Sequence, residues 1–438
     1  MAEPVIIVGG GLAGVEAAWR LARSGIGVQL LEMRPDKSTP AHQTGLLAEL
    51  VCSNSLRSAA PASAVGLLKE EMVRLDSLVM EAALATRVPA GKALAVDREA
   101  FAGFITGRIT ALPGVELIRE EAAQVPRGGL VILASGPLTS DSLAQDLVAL
   151  TGAHNLYFYD AIAPIIEADS VDTSRAWWAS RYADVEDEAD YLNCPLSEAE
   201  YDRFYAALMD GDKVPLRDFE ESRYFEGCLP IEVMAERGKQ TLLFGPLKPV
   251  GLADPTTGQR PHGVLQLRKE DAAGRYLNLV GCQTRLTQPA QKEAFRLVPA
   301  LKEAVFTRLG SVHRNTFVRG PEVLNPDLSL KAGDQVFLAG QITGVEGYVE
   351  SAACGLLAGE FVRQRLSGQV FNPPPAETAL GSLLRHATAG RLKNFQPSNI
   401  HFGLFLPLAD KTPKKRRGEA YANRAREALA TWLSGLAV

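Results

Sequence analysis

The stretch VIIVGGGLAGVEAAWRLARSGIGVQLLE, residues 5–32, decides the fold. Its first four residues, Val-Ile-Ile-Val, form a β-branched run of the kind buried in a parallel sheet. GGGLAG follows, with GxGxxG spacing at Gly9, Gly11 and Gly14 and with Gly10 and Ala13 between them. From Leu12 to Arg23, the residues Val15, Ala18, Trp19 and Ala22 recur at helical spacing, and Gly25 and Gly27 close the stretch. Val28 to Leu31 reads as a second strand and ends in Glu32, with Arg34 just beyond. The order has a physical logic. The first glycine permits a tight turn, the second lets backbone approach a pyrophosphate, and the third lets helix and strand pack closely. The helix N-terminus faces the anion. Glu32 stands where a carboxylate accepts ribose hydroxyls. A GxGxxG alone is a weak signal, but strand, turn, helix, strand and acid in sequence indicate a Rossmann-type α/β domain. NAD, FAD and S-adenosylmethionine all use such turns.

Two later segments favour FAD. Residues 128–136, GGLVILASG, form an apolar strand ending in Ala-Ser-Gly. Residues 336–340, VFLAG, form another, and QITGVEGYVESAACGLLAGEFV continues as a glycine-rich loop and a helix from about Gly347 to Arg365. That helix would aim its positive end at a flavin and stabilise negative charge there. The candidate contacts are Gly340, Gln341, Gly344, Glu346 and Tyr348. Many flavoproteins begin this loop with Gly-Asp. Here the pair is Gly340-Gln341, so the usual bond to the ribityl chain must be made differently. There is no second GxGxxG turn, so NADH or NADPH would visit the flavin domain transiently.

The expected architecture is a glutathione-reductase-like FAD domain, residues 1–155 and 330–375, interrupted by an α/β insertion, residues 156–329, that carries the substrate. Residues 376–438 form a mostly helical C-terminal segment packed on the FAD domain, with Pro373 to Pro375 as a hinge. Within the insertion lie Trp177, Trp178, an acidic patch from Asp184 to Asp190 and a helix from Ser197 to Met209. Thr241 to Phe244 and Tyr276 to Val280 read as strands. The 438 residues are enough for two or three cores. A net charge of −5 excludes a polybasic binder of nucleic acid over the whole surface. It leaves room for a local basic face, because fields act within a Debye length of about 8–10 Å. No apolar run approaches the roughly 20 residues needed to span a bilayer, and MAEPVIIVGG has no basic n-region. A cytoplasmic protein without membrane association is expected. The oligomeric state is left open, and a monomer is compatible with the sequence.

Cys52, Cys194, Cys228, Cys282 and Cys354 are scattered and contain no CxxC pair, so no metal site or disulfide framework is expected. Two of them sit in polar, distinctive surroundings. Cys52 lies in ELVCSNSLRS, with Asn54, Ser55 and Arg57, in a region that approaches the flavin ring in this fold. Cys228 lies in RYFEGCLPIE, between Gly227 and Pro230. GGGLAG with LLEMRP, then CSNSLRS, FEGCLPIE, HRNTF (313–317), GQITGVEGYVESAA and NFQPSNIHFGLF (394–405) together resemble the TrmFO family. These are folate- and FAD-dependent tRNA uracil-5-methyltransferases. The resemblance runs through nearly the whole chain and is far more specific than any single motif. The family is similar to the larger MnmG flavoproteins, which carry an additional C-terminal domain.

The resemblance implies a reaction. 5,10-Methylenetetrahydrofolate supplies the carbon, and FAD reduced by NAD(P)H supplies the hydride. The T-loop uridine at tRNA position 54 becomes 5-methyluridine. By the same resemblance, Cys228 is the nucleophile at uracil C6 and Cys52, near the flavin, is the base. The chemistry suits thiols. C5 of uracil is a poor nucleophile until a soft, reversible nucleophile adds to C6, and a thiol with a reference pKa of about 8.5 needs a cationic or dipolar neighbour to act so. Arg57, Arg223 and Arg285 are candidates for phosphate, folate carboxylate or enolate. Arg223, Arg285, Lys414, Lys415, Arg416 and Arg417 are candidates for RNA contact, each equally readable as solvated surface charge. Position 54 would have to flip out of the tRNA elbow. The rival readings are an MnmG-like enzyme acting on another tRNA uridine, a small-molecule FAD oxidoreductase, an S-adenosylmethionine methyltransferase and a non-catalytic RNA-binding flavoprotein. A yellow protein excludes the methyltransferase that uses S-adenosylmethionine. Turnover that needs tRNA and folate together excludes the small-molecule oxidoreductase and the non-catalytic module.

Overall fold

A computed structural model describes residues 3–39, 41–152, 156–181, 189–215, 229–390 and 395–436. Cys228, Arg223 and Gly227 lie outside these residues, as does most of the acidic patch at 184–190. The glycine turn sits at the centre of a six-stranded sheet in the order Ser329–Leu330, Gly333–Leu338, Val131–Leu133, Val5–Val8, Val28–Leu31, Val115–Ile118. The last five strands run parallel, and Ser329–Leu330 pairs antiparallel at the edge. A strand from late in the chain therefore joins one from the first third, with Val336 opposite Val131 and Leu338 opposite Leu133. Helix Leu12–Arg23 spans the limits expected from its periodicity. It packs against helix Tyr348–Leu366 at very close range. A Cβ on Gly355 would fall 2.1 Å from the Ala13 carbonyl oxygen, so only glycine fits there.

A second six-stranded sheet is antiparallel throughout, in the order Trp177–Trp178, Tyr191–Leu196, Gly263–Lys269, Tyr276–Leu279, Ile165–Glu167, Phe306–Arg308. It has its own buried cluster, which includes Leu192, Cys194, Tyr201, Phe204, Leu267 and Phe295. Strands Leu156–Ala161 and Val312–Phe317 pair antiparallel where the chain leaves the first sheet and returns. Helix Glu198–Asp210 begins at Ser197, whose side chain forms a capping box with Glu200. The expected strand at Thr241–Phe244 is instead one turn of helix. The apolar run is only four residues long. Leu242 turns inward, and its carbonyl accepts the Gly245 and Leu247 amides locally, so no strand partner is needed.

A three-stranded antiparallel sheet, Ser55–Ser58, Ala93–Val96 and Arg87–Val88, joins the two larger units. The Asn54 amide makes the joint, donating to Val96 O and Lys269 O. Beyond the sheets lie helices Ala379–Ala389 and Arg417–Leu436. No described helix is long and apolar enough to cross a membrane. Helix Ala379–Ala389 starts on a buried carboxylate, since Ala379 N and Leu380 N each donate to Glu71 at 2.8 Å. Burial outweighs these amides and pushes Glu71 up to about 8. Buried Glu16, on the first helix, is pushed up to about 7 in the same way, against Ser77 and Val79 donors. Both pKa values lie above the unfolded value, so the folded state binds more protons. That contribution is full below about 4.5 and is lost as pH rises through about 7 to 8. Thermal unfolding midpoints are therefore expected to decline across this window, and Glu71→Gln should flatten the decline. An unaltered slope in that variant would mean that Glu71 is ionised in the fold.

Candidate active site

The turn at residues 9–14 is built as its spacing demands. Gly9 has φ +104°, a conformation that favours glycine. A Cβ on Gly14 would lie 1.8 Å from the Gly9 carbonyl oxygen, so the third glycine is required for packing. A Cβ on Gly11 would meet nothing within 4 Å, because this position faces open space. Gly11 caps helix Leu12–Arg23 without any side-chain hydrogen bond, which leaves amides at the helix start available to an anion. Glu32 lies beside the turn. It accepts from Gly10 N at 2.8 Å and from both the backbone and Nε of Arg34. Burial raises its pKa, but the Arg34 contacts and the Gly10 amide prevail and hold it below the usual carboxylate range. Glu32 is thus a fixed anion with acceptor capacity to spare.

From this turn a cavity of about 440 Å³ runs along the sheet's C-terminal edge, within the range expected for ligand pockets. Its walls bring together Gly9, Gly11, Ala13, Glu32, Arg34, Cys52, Gly340, Gln341, Glu346 and Tyr348. Gly10 and Gly14 lie beneath it as packing glycines, Gly10 against Leu47 and Glu32. Gly344 stands apart. Its φ is +90°, and the Phe395 ring packs where a Cβ would be. Gln341, which replaces the usual aspartate, turns its Nε2 to Glu346 Oε2 at 2.5 Å. Residues 134–140, Ser55, Arg57, Gln283, Asn315, Gly347 and Asn399 also line the cavity. The shape and donors fit FAD. The cradle has an uncapped helix start at the pyrophosphate position, a fixed acid at the ribose position and a long wall leading to Cys52 and Tyr348.

Cys52 is part of the cavity wall. Its amide donates to the Tyr348 phenol oxygen at 2.7 Å, and Ser53 N donates to the same oxygen at 3.2 Å. The Cys52 thiol points to Ala161 O at 3.7 Å. Burial raises the Tyr348 phenol far above its ordinary value, and the nearby Cys52 adds to the shift. Arg98 grips this loop from outside. Nη1 donates to Leu50 O, while the guanidinium pairs at 2.6 Å with Glu270, the residue that follows strand Gly263–Lys269 of the second sheet. Arg268 adds a bond to Asn54 Oδ1 at 2.6 Å. Sequence reading missed Arg98, Arg268 and Glu270, whose partners are distant in the chain. Three other thiols are sealed away. Burial pushes Cys194 up to about 12 and raises Cys282 and Cys354 as well. Cys52 alone among the four described cysteines is not fully buried, and it lines the cavity.

The remaining candidates fall elsewhere. Arg285 lies outside the cavity, beside buried Glu232, which accepts its backbone amide at 2.7 Å. Lys414, Lys415 and Arg417 line a separate groove of about 930 Å³ with Pro61, Phe402 and Tyr421. Arg416 is exposed next to this groove. Among the described residues no cluster suited to a metal ion occurs.

The family model "Glucose inhibited division protein A" matches residues 4–370. Proteins named methylenetetrahydrofolate–tRNA-(uracil-5-)-methyltransferase TrmFO align along almost the whole chain. The protein of Syntrophus aciditrophicus is 54% identical over 99% of this chain and 98% of its own length. That of Geobacter sulfurreducens is 55% identical over 99% of this chain and 100% of its own. That of Anaeromyxobacter dehalogenans is 57% identical over 98% and 96%. Among solved structures, Aquifex aeolicus GidA superposes with a TM-score of 0.68 at 15% identity, covering 98% of this chain and 73% of that one. It shares the fold.

Proposed function

The chain belongs to the TrmFO family, and from that premise we propose that it methylates C5 of a tRNA uridine with 5,10-methylenetetrahydrofolate as the carbon donor. The observation that carries this reading is Cys52 beside Tyr348 on the wall of the cavity that the glycine turn also lines. The finer reading is that the target is position 54 in the T-arm, that the enzyme works in the cytoplasm, and that NADH or NADPH provides the reducing equivalents.

Bound FAD would be held by the turn at Gly9 and Gly11, by Glu32, and by residues 340–348, and once reduced by NAD(P)H it supplies a hydride. The protein's own groups do the rest. A thiolate from Cys228 adds to C6 and turns C5 into a nucleophile. C5 attacks the folate methylene, so that C5 gains a carbon while keeping its proton. The Cys52 thiolate, placed at the cavity, removes that proton, and tetrahydrofolate leaves with the electron pair of its nitrogen–carbon bond. Hydride supplied by the bound, reduced flavin would convert the exocyclic methylene to the methyl group, and expulsion of the Cys228 thiolate would restore the C5–C6 double bond. Cys228 lies outside the described residues. Ile231, three positions after it, donates its N–H to Gln283 O, and Gln283 lines the cavity.

The basic groove at Lys414, Lys415 and Arg417 suits tRNA phosphates. Gly418, next in line, packs on Ala62, five residues from Arg57 in the cavity wall. Charge-driven binding should weaken steeply with salt. The test is a transcript in which uridine 54 is replaced by cytidine. The unmodified transcript should yield 5-methyluridine and the replaced one none. Methylation of the replaced transcript would move the target elsewhere.

A further inference from the structure

Arg57 is held in an unusual way. Its φ is +64°, a left-handed conformation that long side chains rarely adopt. Two buried groups maintain it. Lys69, within the core, donates Nζ to Arg57 O at 3.2 Å and to Ser58 O at 2.6 Å. Glu350, on the first turn of the helix that begins at Tyr348, accepts from Arg57 Nη1 at 2.7 Å and from Ile400 N at 2.9 Å. The Glu350 side chain is 0% exposed, while that of Arg57 is 42% exposed. Oε2 of Glu350 has no hydrogen-bond partner among the described residues. Among the described residues the Nε and Nη2 donors of Arg57 have no hydrogen-bond partner either, and the side chain lines the cavity with Ser55, Gly347 and Asn399.

A buried carboxylate with few donors is unfavourable unless a cation stays beside it. Removing Lys69 from water also disfavours its charge, and burial lowers its pKa to about 8. Two buried ionisable groups and a strained backbone thus fix one half-exposed guanidinium over the cavity. Strain of this kind is stored where a side chain has to be presented in one place. A guanidinium with two spare donors on one edge matches a planar or tetrahedral oxyanion.

We propose that Arg57, fixed by Glu350 and Lys69, is an oxyanion receptor on the cavity wall, taking either a tRNA phosphate or the glutamyl carboxylate of the folate. This rests on the reading of the cavity as a folate- and tRNA-dependent methylation site. Glu350 acts as a positioning residue, since it reaches the ligand only through Arg57.

Binding can be read without turnover. Arg57→Asn keeps a residue that tolerates the left-handed backbone, and pairing it with Glu350→Gln leaves no buried carboxylate without its cation. Dissociation constants of the flavin-loaded double variant would be measured for tRNA by filter binding at several salt concentrations. Those for tetrahydrofolate and a pteroate analogue without the glutamate would be measured by quenching of flavin fluorescence. One ligand should bind about tenfold to a hundredfold more weakly, and Glu350→Gln alone should show a smaller shift toward the same ligand. Loss for tRNA with a salt slope reduced by about 0.7–0.9 identifies a phosphate. Loss for tetrahydrofolate but not for the pteroate analogue identifies the carboxylate. Unchanged constants for both ligands would overturn the proposal, as would equal loss for tetrahydrofolate and the pteroate analogue. A wild-type protein that binds these ligands yet never methylates would contradict the proposed function instead, and the two failures are separable.

Discussion

Cys228→Ala is expected to abolish methylation and to abolish the covalent complex with tRNA that carries 5-fluorouridine at the target position. Cys52→Ala is expected to slow turnover by about 10²–10⁴, the usual contribution of a general base, while still forming that complex. Fluorine at C5 cannot leave as a cation, so the reaction halts after C6 addition and the new carbon bond, and the adduct accumulates. Only the residue attached at C6 is needed to reach that point. Cys52 lines the cavity wall, with its backbone pinned by Tyr348 and its loop by Arg98. Denaturing electrophoresis with labelled tRNA reads both variants. An adduct in Cys228→Ala and none in Cys52→Ala would reverse the two roles. Cys194, Cys282 and Cys354 are poor alternatives. Burial raises each of their pKa values and suppresses the thiolate the reaction requires.

The second large effect separates two glycines of one turn. Gly11→Ala should leave the apoprotein's unfolding midpoint almost unchanged, since the new methyl group meets no protein atom within 4 Å and the helix cap has an ordinary φ of −76°. It should nevertheless weaken FAD binding at least tenfold, about 1.4 kcal/mol, because the methyl occupies the approach of the pyrophosphate. Gly14→Ala should act differently. Its Cβ would lie 1.8 Å from the Gly9 carbonyl oxygen, and overpacking of that kind typically costs about 1–3 kcal/mol or more. That variant should lose both flavin and thermal stability. Calorimetry and the flavin-to-protein ratio distinguish the two. Full flavin occupancy with unchanged affinity in Gly11→Ala would show that no phosphate approaches the turn.

The features legible in the sequence were those written into short stretches. The turn, its helix at Leu12–Arg23 and the acid at Glu32 lie within 28 residues, and local spacing carries their geometry. The later helix at Tyr348–Leu366 was legible for the same reason. What escaped were contacts whose partners lie far apart in the chain. Arg98 pairs with Glu270 across 172 positions, and Arg268 reaches Asn54 across 214. Neither arginine differs, as a sequence symbol, from one on a solvated surface. Thr241–Phe244 was misread because a four-residue apolar run has too little length to separate a strand from a single helical turn. Arg57 was visible as a polar neighbour of Cys52. Its left-handed backbone and its buried partner Glu350, 293 positions away, were not. Gly344 was assigned to the cofactor with its glycine-rich loop, yet it serves to admit the Phe395 ring.

We propose that the glycine turn and the two thiols serve one reaction, in which folate donates the carbon and a nicotinamide-reduced flavin donates the hydride. The most direct measurement is methylation of an unmodified tRNA transcript by the flavin-loaded protein, with each cosubstrate omitted in turn and the folate methylene isotopically labelled. Labelled 5-methyluridine is expected only when methylenetetrahydrofolate and NADH or NADPH are both present, with S-adenosylmethionine unable to replace the folate. Methylation from S-adenosylmethionine alone, or folate-independent consumption of NAD(P)H with no labelled methyl in the RNA, would contradict it.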